Sequence, residues 1–194
     1  IRQVGWWVME QTFLQKKAWE EKYGNLQLSF NVSYQQFMDQ DFAAKVIKKA
    51  NEIGVDKESV IIELTESCQV KDPESLANVF EELEKEGFKL ALDDFGTAYS
   101  TMEMLRKLPI DYIKIDHSFV RELADEGHED DYIIVDELVR LSNRLHHGAI
   151  IEGVENQSVV ERLKDVNASL LQGYHYSKPV SKDVFEGLLD KQKL

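Results

Sequence analysis

Residues 88–96 read FKLALDDFG, a mostly apolar run that ends in two aspartates. An apolar run without regular polar alternation is typical of a strand covered on both faces in a parallel sheet. We therefore predict a strand over residues 88–92, with Asp93 and Asp94 at its carboxyl end. This stretch places acidic side chains where a buried strand turns.

The same pattern recurs along the chain, with helical segments between the apolar runs. The other predicted strands cover residues 26–32, 60–64, 111–115, 149–151 and 169–171. This alternation indicates a parallel sheet with right-handed crossovers. A closed barrel of this type needs eight strands, so we expect an α/β, TIM-like barrel that lacks its first one or two strands. We expect residues 1–194 to form this single, N-terminally incomplete domain.

The helices are predicted from apolar periodicity and from start and stop signals. They cover residues 1–24, 37–54, 73–87, 101–108, 118–125, 132–147, 158–166 and 182–192. Asp72 before Pro73 and Ser181 before the last helix are the expected caps.

Each predicted strand ends in a side chain that can bind a metal or a phosphate. These residues are Asn31, Glu63, Asp93, Asp94, Lys114, Asp116, Glu152 and Gln172. Taken singly, an aspartate pair is often a turn or a helix cap, and a lysine in an apolar strand is often an edge residue. Because a parallel barrel collects its strand ends on one rim, the joint pattern favours a shared site.

Clustered carboxylates repel one another or recruit cations. Hard oxygen ligands favour Mg²⁺ or Mn²⁺ over Zn²⁺, and the adjacent Asp93 and Asp94 suit two cations, a common arrangement for phosphoester cleavage. Lys114 lies two residues before Asp116 and so faces the same side of its strand. Its ammonium could hold the attacking water or neutralise charge that develops on phosphorus.

The composition of the chain argues against several classes of protein. The chain has 23 Lys and Arg against 36 Asp and Glu, a net charge of -13, which argues against binding to duplex nucleic acid. Cys68 is the one cysteine, so no intrachain disulfide can form and a reducing, cytoplasmic location is expected. No apolar run is long enough to predict a membrane span.

Six segments resemble, in order, the motifs of EAL-domain cyclic di-GMP phosphodiesterases. They are FNVS (30–33), ELTES (63–67), LALDDFGTAYS (90–100), LPIDYIKIDHSFV (108–120), IIEGVE (150–155) and QGYHYSKPV (172–180). The resemblance implies a modified TIM barrel. It also implies hydrolysis of one phosphodiester bond of cyclic di-GMP to linear pGpG with Mg²⁺ or Mn²⁺, with Ca²⁺ as a typical inhibitor.

The resemblance also implies roles for individual residues. The first metal would take Asn31, Glu63 and Asp93, and the second would take Asp93, Asp94 and Glu152. The catalytic residues would be Lys114, which positions the attacking water, with Glu152 and Gln172. Asp116 and Gln172 would contact the substrate, and Glu66 would anchor the loop after DDFG. A homodimer, and fusion to sensory or GGDEF cyclase domains, are implied as well.

This chain departs from the family pattern at three points. The Glu-Ala-Leu motif is absent and is expected upstream of Ile1, Ala98 replaces a glycine, and His117 stands where arginine is frequent. An inactive module that binds cyclic di-GMP or a protein partner is therefore an alternative, as is an unrelated barrel metalloenzyme acting on another phosphoester. Strands 26–32 and 169–171 would be open edges, which predicts that the chain self-associates, borrows a segment or expresses poorly on its own.

Overall fold

A computed structural model of the chain describes residues 2–65, 70, 72–97, 102–125 and 127–192. Within these residues, six strands form one parallel sheet whose spatial order follows the chain order. The strands are β1 Leu28–Ser33, β2 Val60–Thr65, β3 Lys89–Phe95, β4 Tyr112–Ile115, β5 Gly148–Ile151 and β6 Leu170–Leu171. The predicted parallel α/β architecture is confirmed.

The strands are connected mainly by helices that cover one face of the sheet. The helices are α1 Arg2–Tyr23, α2 Tyr34–Phe37, α3 Phe42–Ile53, α4 Pro73–Lys85, α5 Met102–Lys107, α6 Glu129–Arg144, α7 Gln157–Leu163 and α8 Lys182–Gln192. At the start of α4, the Asp72 carboxylate accepts a hydrogen bond of 3.0 Å from the Ser75 amide, which confirms the predicted cap.

Two predicted helices are wrong in part. The helix expected over residues 37–54 is divided into α2 and α3, because Asp41 between them has a left-handed backbone with φ of 62°. The helix expected over residues 118–125 is a 3₁₀ turn, His117–Phe119, followed by further turns. There the Asp116 carboxylate accepts a hydrogen bond of 2.9 Å from the Ser118 amide and holds the chain in a tight turn.

Several other elements differ from the prediction in their bounds, among them α6 and β6. The helix predicted over residues 132–147 begins earlier, at Glu129, and ends at Arg144. Its first turn contains three acidic residues, which the positive end of the helix dipole favours, and His146 after its end has a φ of 65°. The last predicted strand, over residues 169–171, is reduced to Leu170–Leu171.

The apolar core lies between the outer face of the sheet and the helices. Alternate strand residues supply it, including Phe30, Ile62, Leu64, Leu90, Leu92, Ile113, Ile115 and Ile151. From α1, Phe13 packs against Phe30 and Phe88, with ring centroids 5.8 and 6.2 Å apart. Burying a side chain of this size contributes roughly 1.5–3 kcal/mol.

The described sheet is open between β1 and β6. On its outside, α8 packs against α1, where the rings of Trp19 and Phe185 are 4.9 Å apart. The Trp19 indole also donates a hydrogen bond of 3.0 Å to the Glu186 carboxylate. Self-association through the open strands stays a prediction. In the part of the chain that is described, no helix has the length and apolar character needed to cross a membrane.

Candidate active site

The strand register places the predicted site residues on one face of the sheet, opposite the helices. Glu63 pairs with Asn31 on one side and with Ala91 on the other, and Asp93 lies two residues beyond Ala91. Lys114 pairs with Ile150, and Glu152 lies two residues further along. Because side chains alternate along a strand, these residues share the inner face near the carboxyl ends of the strands. Gln172 reaches the same face two residues after Leu170, the other partner of Ile150.

A bulge in β3 brings two consecutive carboxylates to this face. Between the pairs Leu92–Ile113 and Phe95–Ile115, β3 has two residues where β4 has one. Asp94, the second of the two, has a left-handed backbone with φ of 52°. In a regular strand, Asp93 and Asp94 would point to opposite faces. Here carboxylate oxygens of Asp93, Asp94 and Glu152 lie within 4.8 Å of one another.

Lys114 is buried at the centre of these acids, with 4% of its surface exposed. Its Nζ donates hydrogen bonds of 2.9 Å to Glu63 Oε2 and 2.8 Å to Asp93 Oδ1, and lies 2.7 Å from Glu152 Oε1. Burial lowers the pKa of the Lys114 ammonium, but the surrounding carboxylates outweigh it and hold the pKa above its ordinary value. The lysine is therefore charged at neutral pH, and one cation offsets several carboxylates.

The acids around Lys114 still carry an excess of negative charge. Burial raises the pKa of Glu152, as do Asp93 and Glu63, against the lowering effect of Lys114. Burial also raises the pKa of Asp94, and the nearby Asp93 and Asp116 add to the effect. Such carboxylates are stabilised by an added cation.

Asp116 lies next to this group at the start of the 3₁₀ turn. Burial acts to raise the pKa of its carboxyl, but hydrogen bonding from Ser118 and the closeness of His117 Nδ1, at 3.0 Å, bring the pKa below its ordinary value. An ionised Asp116 therefore adds to the negative charge near Asp94.

Two of the predicted site residues, at the edges of the sheet, are more exposed to solvent than Lys114 and its partners. Asn31 on β1 and Gln172 after β6 are both exposed, and they flank the buried centre from the two open edges. The Gln172 amide donates a hydrogen bond of 2.8 Å to Ile151 O, and its carbonyl accepts one of 3.1 Å from the Val154 amide. These bonds fix Gln172 beside the turn that follows Glu152.

Other sequence predictions fall outside the described residues. These are the loop-anchoring role of Glu66 and the position of Ala98, which replaces a glycine of the family pattern. Sequence reasoning missed that Lys114 is shared by three carboxylates, which lie on β2, on β3 and directly after β5. The one available signal was a lysine in an otherwise apolar strand, which also fits an edge residue.

The parallel α/β fold and its acidic rim define a (β/α)-type domain with a cluster of carboxylates, Asp93, Asp94 and Glu152, that could hold a metal ion. The sequence matches the EAL domain family over residues 1–179. The chain belongs to the EAL domain family. The family membership excludes the hypothesis of an unrelated barrel.

Similar proteins carry phosphodiesterase names. The cyclic di-GMP phosphodiesterase PdeL of Escherichia coli K12 is 35% identical over 164 residues, which are 83% of this chain and 44% of that protein. The crystal structure of the EAL domain of Mycobacterium smegmatis DcpA is 33% identical, with a TM-score of 0.90 over 96% of this chain and 84% of that one. A cyclic di-GMP complex of the PaMucR phosphodiesterase is 29% identical, with a TM-score of 0.86 over 94% and 74% of the two chains.

The chain spans between 24% and 44% of the length of three curated relatives that it matches, the signaling protein YkoW, MucR and PdeL. MucR of Pseudomonas aeruginosa is named a bifunctional diguanylate cyclase and cyclic di-GMP phosphodiesterase. The activities named for such longer proteins belong to those proteins and are not assigned here to this chain.

Proposed function

We propose that this chain hydrolyses cyclic di-GMP to linear pGpG in a reaction that requires Mg²⁺ or Mn²⁺. The observation that carries the proposal is the buried group of Lys114 with Glu63, Asp93 and Glu152 on one rim of an EAL domain. Relatives named cyclic di-GMP phosphodiesterases support the choice of substrate.

The residues present fit a divalent cation. Asp93, Asp94 and Glu152 offer hard carboxylate oxygens close to one another. Burial, together with repulsion from neighbouring carboxylates, raises the pKa values of Asp94 and Glu152, and a bound cation would offset both effects. We assign these three residues to one cation, and Asn31, Glu63 and Asp93 to a second. Bound divalent cations lower the pKa of water and neutralise charge on phosphoryl oxygens.

The chain's own groups then orient the reactants. The three N–H donors of the Lys114 ammonium are directed at Glu63, Asp93 and Glu152. A cation bound by these carboxylates would free a donor for the attacking water or for a developing negative oxygen. A carboxylate oxygen of Glu152 can accept the proton of that water. Asp116 and Gln172 would contact the substrate at the edges of this group.

The test is turnover of cyclic di-GMP by the full chain in Mn²⁺, with pGpG separated by chromatography. We expect turnover that is abolished by a chelator and restored by Mn²⁺. Glu63→Gln should lose turnover, while Glu84→Gln, on an exposed position of α4, serves as the matched control. Equal turnover in the two variants, or turnover in excess chelator, would contradict the proposal.

A second candidate function is binding without turnover. The observation that favours it is that the described sheet is open beside the exposed Asn31, so one proposed metal ligand lies at an edge. An inactive module would bind cyclic di-GMP, or a protein partner, without forming pGpG. The homodimer, the cytoplasmic location and the fusion to cyclase or sensory domains also stay predictions.

A further inference from the structure

Asp94, one of the proposed metal ligands, has a backbone conformation that its neighbours must impose. Its φ of 52° lies in the left-handed region, which is less favourable for residues other than glycine. Such a conformation persists only where the surrounding structure determines it. It occurs at the bulge in β3, where the Asp94 carboxylate lies close to those of Asp93 and Glu152. The contacts that hold this conformation therefore decide whether the three carboxylates can share a cation.

Part of the constraint on Asp94 comes from the turn that follows it. The Thr97 hydroxyl donates a hydrogen bond of 2.9 Å to Asp94 O, and the Thr97 amide donates one of 3.3 Å to the same oxygen. Gly96, between these two residues, has a φ of 101°, a conformation that residues with a side chain rarely adopt. The turn thus contains two left-handed residues and is closed from its own side by Thr97.

A further constraint comes from Phe119, which lies in the 3₁₀ turn after β4. A Cβ placed at Gly96 would lie 2.6 Å from Cε2 and 3.0 Å from Cζ of the Phe119 ring, which leaves no room for a side chain there. The ring therefore fills the space beside Gly96 and limits movement of the turn after Asp94. Phe119 is half-buried and also packs against the apolar core, which fixes the position of its ring.

Hydrogen bonds hold the segment that carries Phe119 against β3. The Phe119 amide donates a hydrogen bond of 3.2 Å to Asp116 O, and the Asp116 carboxylate accepts one of 2.9 Å from the Ser118 amide. The Asp116 amide in turn donates a hydrogen bond of 3.3 Å to Phe95 O, directly after Asp94. The contact between the ring and Gly96 therefore joins two segments whose backbones are already connected at the bulge.

We propose that Phe119 is a positioning residue for the cation at the bulge in β3, an inference that rests on the metal site of the proposed function. The hydrocarbon ring of Phe119 offers no ligand atom to a metal, so it acts through other residues. It holds Gly96 in place and thereby maintains the left-handed conformation of Asp94. Without the ring, Asp94 can relax toward a regular strand conformation, in which its carboxylate points to the face opposite that of Asp93.

The first test is equilibrium binding of Mn²⁺ to the full chain without substrate, measured by the electron paramagnetic resonance of the free ion. Phe119→Ala should weaken Mn²⁺ binding about 10- to 100-fold, the range for residues that orient metal ligands. Phe119→Leu keeps part of the apolar volume, and its affinity should lie between those of wild type and Phe119→Ala. The matched control is Leu138→Ala, which removes a half-buried side chain of α6 that packs against the same core and should leave Mn²⁺ affinity unchanged.

The second test separates positioning from a general loss of stability. In the Asp94→Asn chain, the loss of Mn²⁺ affinity caused by Phe119→Ala should largely disappear, because independent effects add whereas coupled ones do not. Where Phe119→Ala does not fold, Phe119→Leu replaces it in both tests.

Three outcomes would overturn the inference. They are equal losses of Mn²⁺ affinity with and without the Asp94 carboxylate, equal affinities in Phe119→Ala and Leu138→Ala, and a wild-type chain that binds no Mn²⁺. A wild-type chain that binds Mn²⁺ without cleaving cyclic di-GMP would overturn the proposed function alone, since neither test measures turnover.

Discussion

On β4, neighbouring residues serve the two faces of the sheet. Ile113 and Ile115 are fully buried against the helices, whereas Lys114 between them is buried among three carboxylates on the inner face. The outer face is stabilised by apolar burial, which needs no particular orientation of its atoms. The inner face depends on the position of a single ammonium group, so a change of one residue should affect the two faces differently.

The largest effect is expected when the inner face loses its cation. Lys114→Met leaves Glu63, Asp93 and Glu152 without their counter-charge and should cost about 3–5 kcal/mol of unfolding free energy. Turnover should fall about 10²- to 10³-fold, as when a key hydrogen-bond donor is removed. Chemical denaturation without divalent cations and turnover with Mn²⁺ measure the two effects.

The matched control is Lys89→Met at the amino end of the neighbouring strand. Lys89 is 40% exposed and lies 2.8 Å from Asp111, so its loss should cost no more than about 1 kcal/mol. If both lysine variants lost the same stability, the contrast between the buried and the exposed pair would be wrong.

The next effect tests the outer face. Ile113→Ala creates a cavity in the core and should cost about 2–5 kcal/mol, while kcat per folded molecule should stay close to that of the wild type. Denaturation curves, together with turnover corrected for the folded fraction, measure both quantities. A variant with unchanged stability and low kcat would show that the two faces are not separable in this way.

A smaller effect is expected at the bulge in β3. Asp94→Asn removes repulsion with Asp93 and Asp116 and keeps a residue type that tolerates a positive φ. Without divalent cations, we expect the unfolding free energy to rise by less than about 1 kcal/mol, with turnover reduced in Mn²⁺. Asp94→Ala also removes the charge but fits a left-handed backbone poorly, and it should be less stable than Asp94→Asn by about 1 kcal/mol.

The smallest effect compares Lys114 with His128, a half-buried cationic residue among acids. His128 lies 2.9 Å from Asp131 and 3.4 Å from Glu122, and the hydrogen bond with Asp131 raises its pKa. Because the folded pKa is the higher one, the stabilisation is complete below the unfolded value of about 6.5 and is lost as the pH rises through the folded pKa.

The measurement is the melting temperature of wild type and of His128→Gln in steps of ~1 pH unit between about pH 5.5 and about pH 9. This range contains the unfolded pKa of about 6.5. The wild type should be more stable at the acidic end, and the two curves should converge at the alkaline end. A constant difference across this range would show that His128 does not act through its charge.

Much of the fold could be predicted because apolar runs and helix signals are local properties. All six predicted strands are present in one parallel sheet, and α4 has the predicted cap at Asp72. The break at Asp41 and the 3₁₀ turn after Asp116 could not be predicted, because both depend on the backbone conformation of one residue or on a side-chain hydrogen bond. The apolar periodicity of a helix continues across both points, so the sequence shows no break there.

The sequence predicted which residues form the site, but it did not predict which contacts they make. Strand ends identified Glu63, Lys114 and Glu152, because parallel strands end on one rim. That Lys114 joins three carboxylates, and that a bulge turns Asp93 and Asp94 to one face, depends on register between segments far apart in sequence. The family resemblance supplied roles for these residues but not these contacts.

The chain order of the sheet also has a consequence for synthesis on the ribosome. Since each strand pairs with the one made before it, the sheet can grow one strand at a time from β1 to β6. Lys114 emerges after Glu63 and Asp93 and before Glu152. The counter-charge is thus in place before the last of its three carboxylates appears, and a nascent chain has no complete acidic rim until β5 has been added.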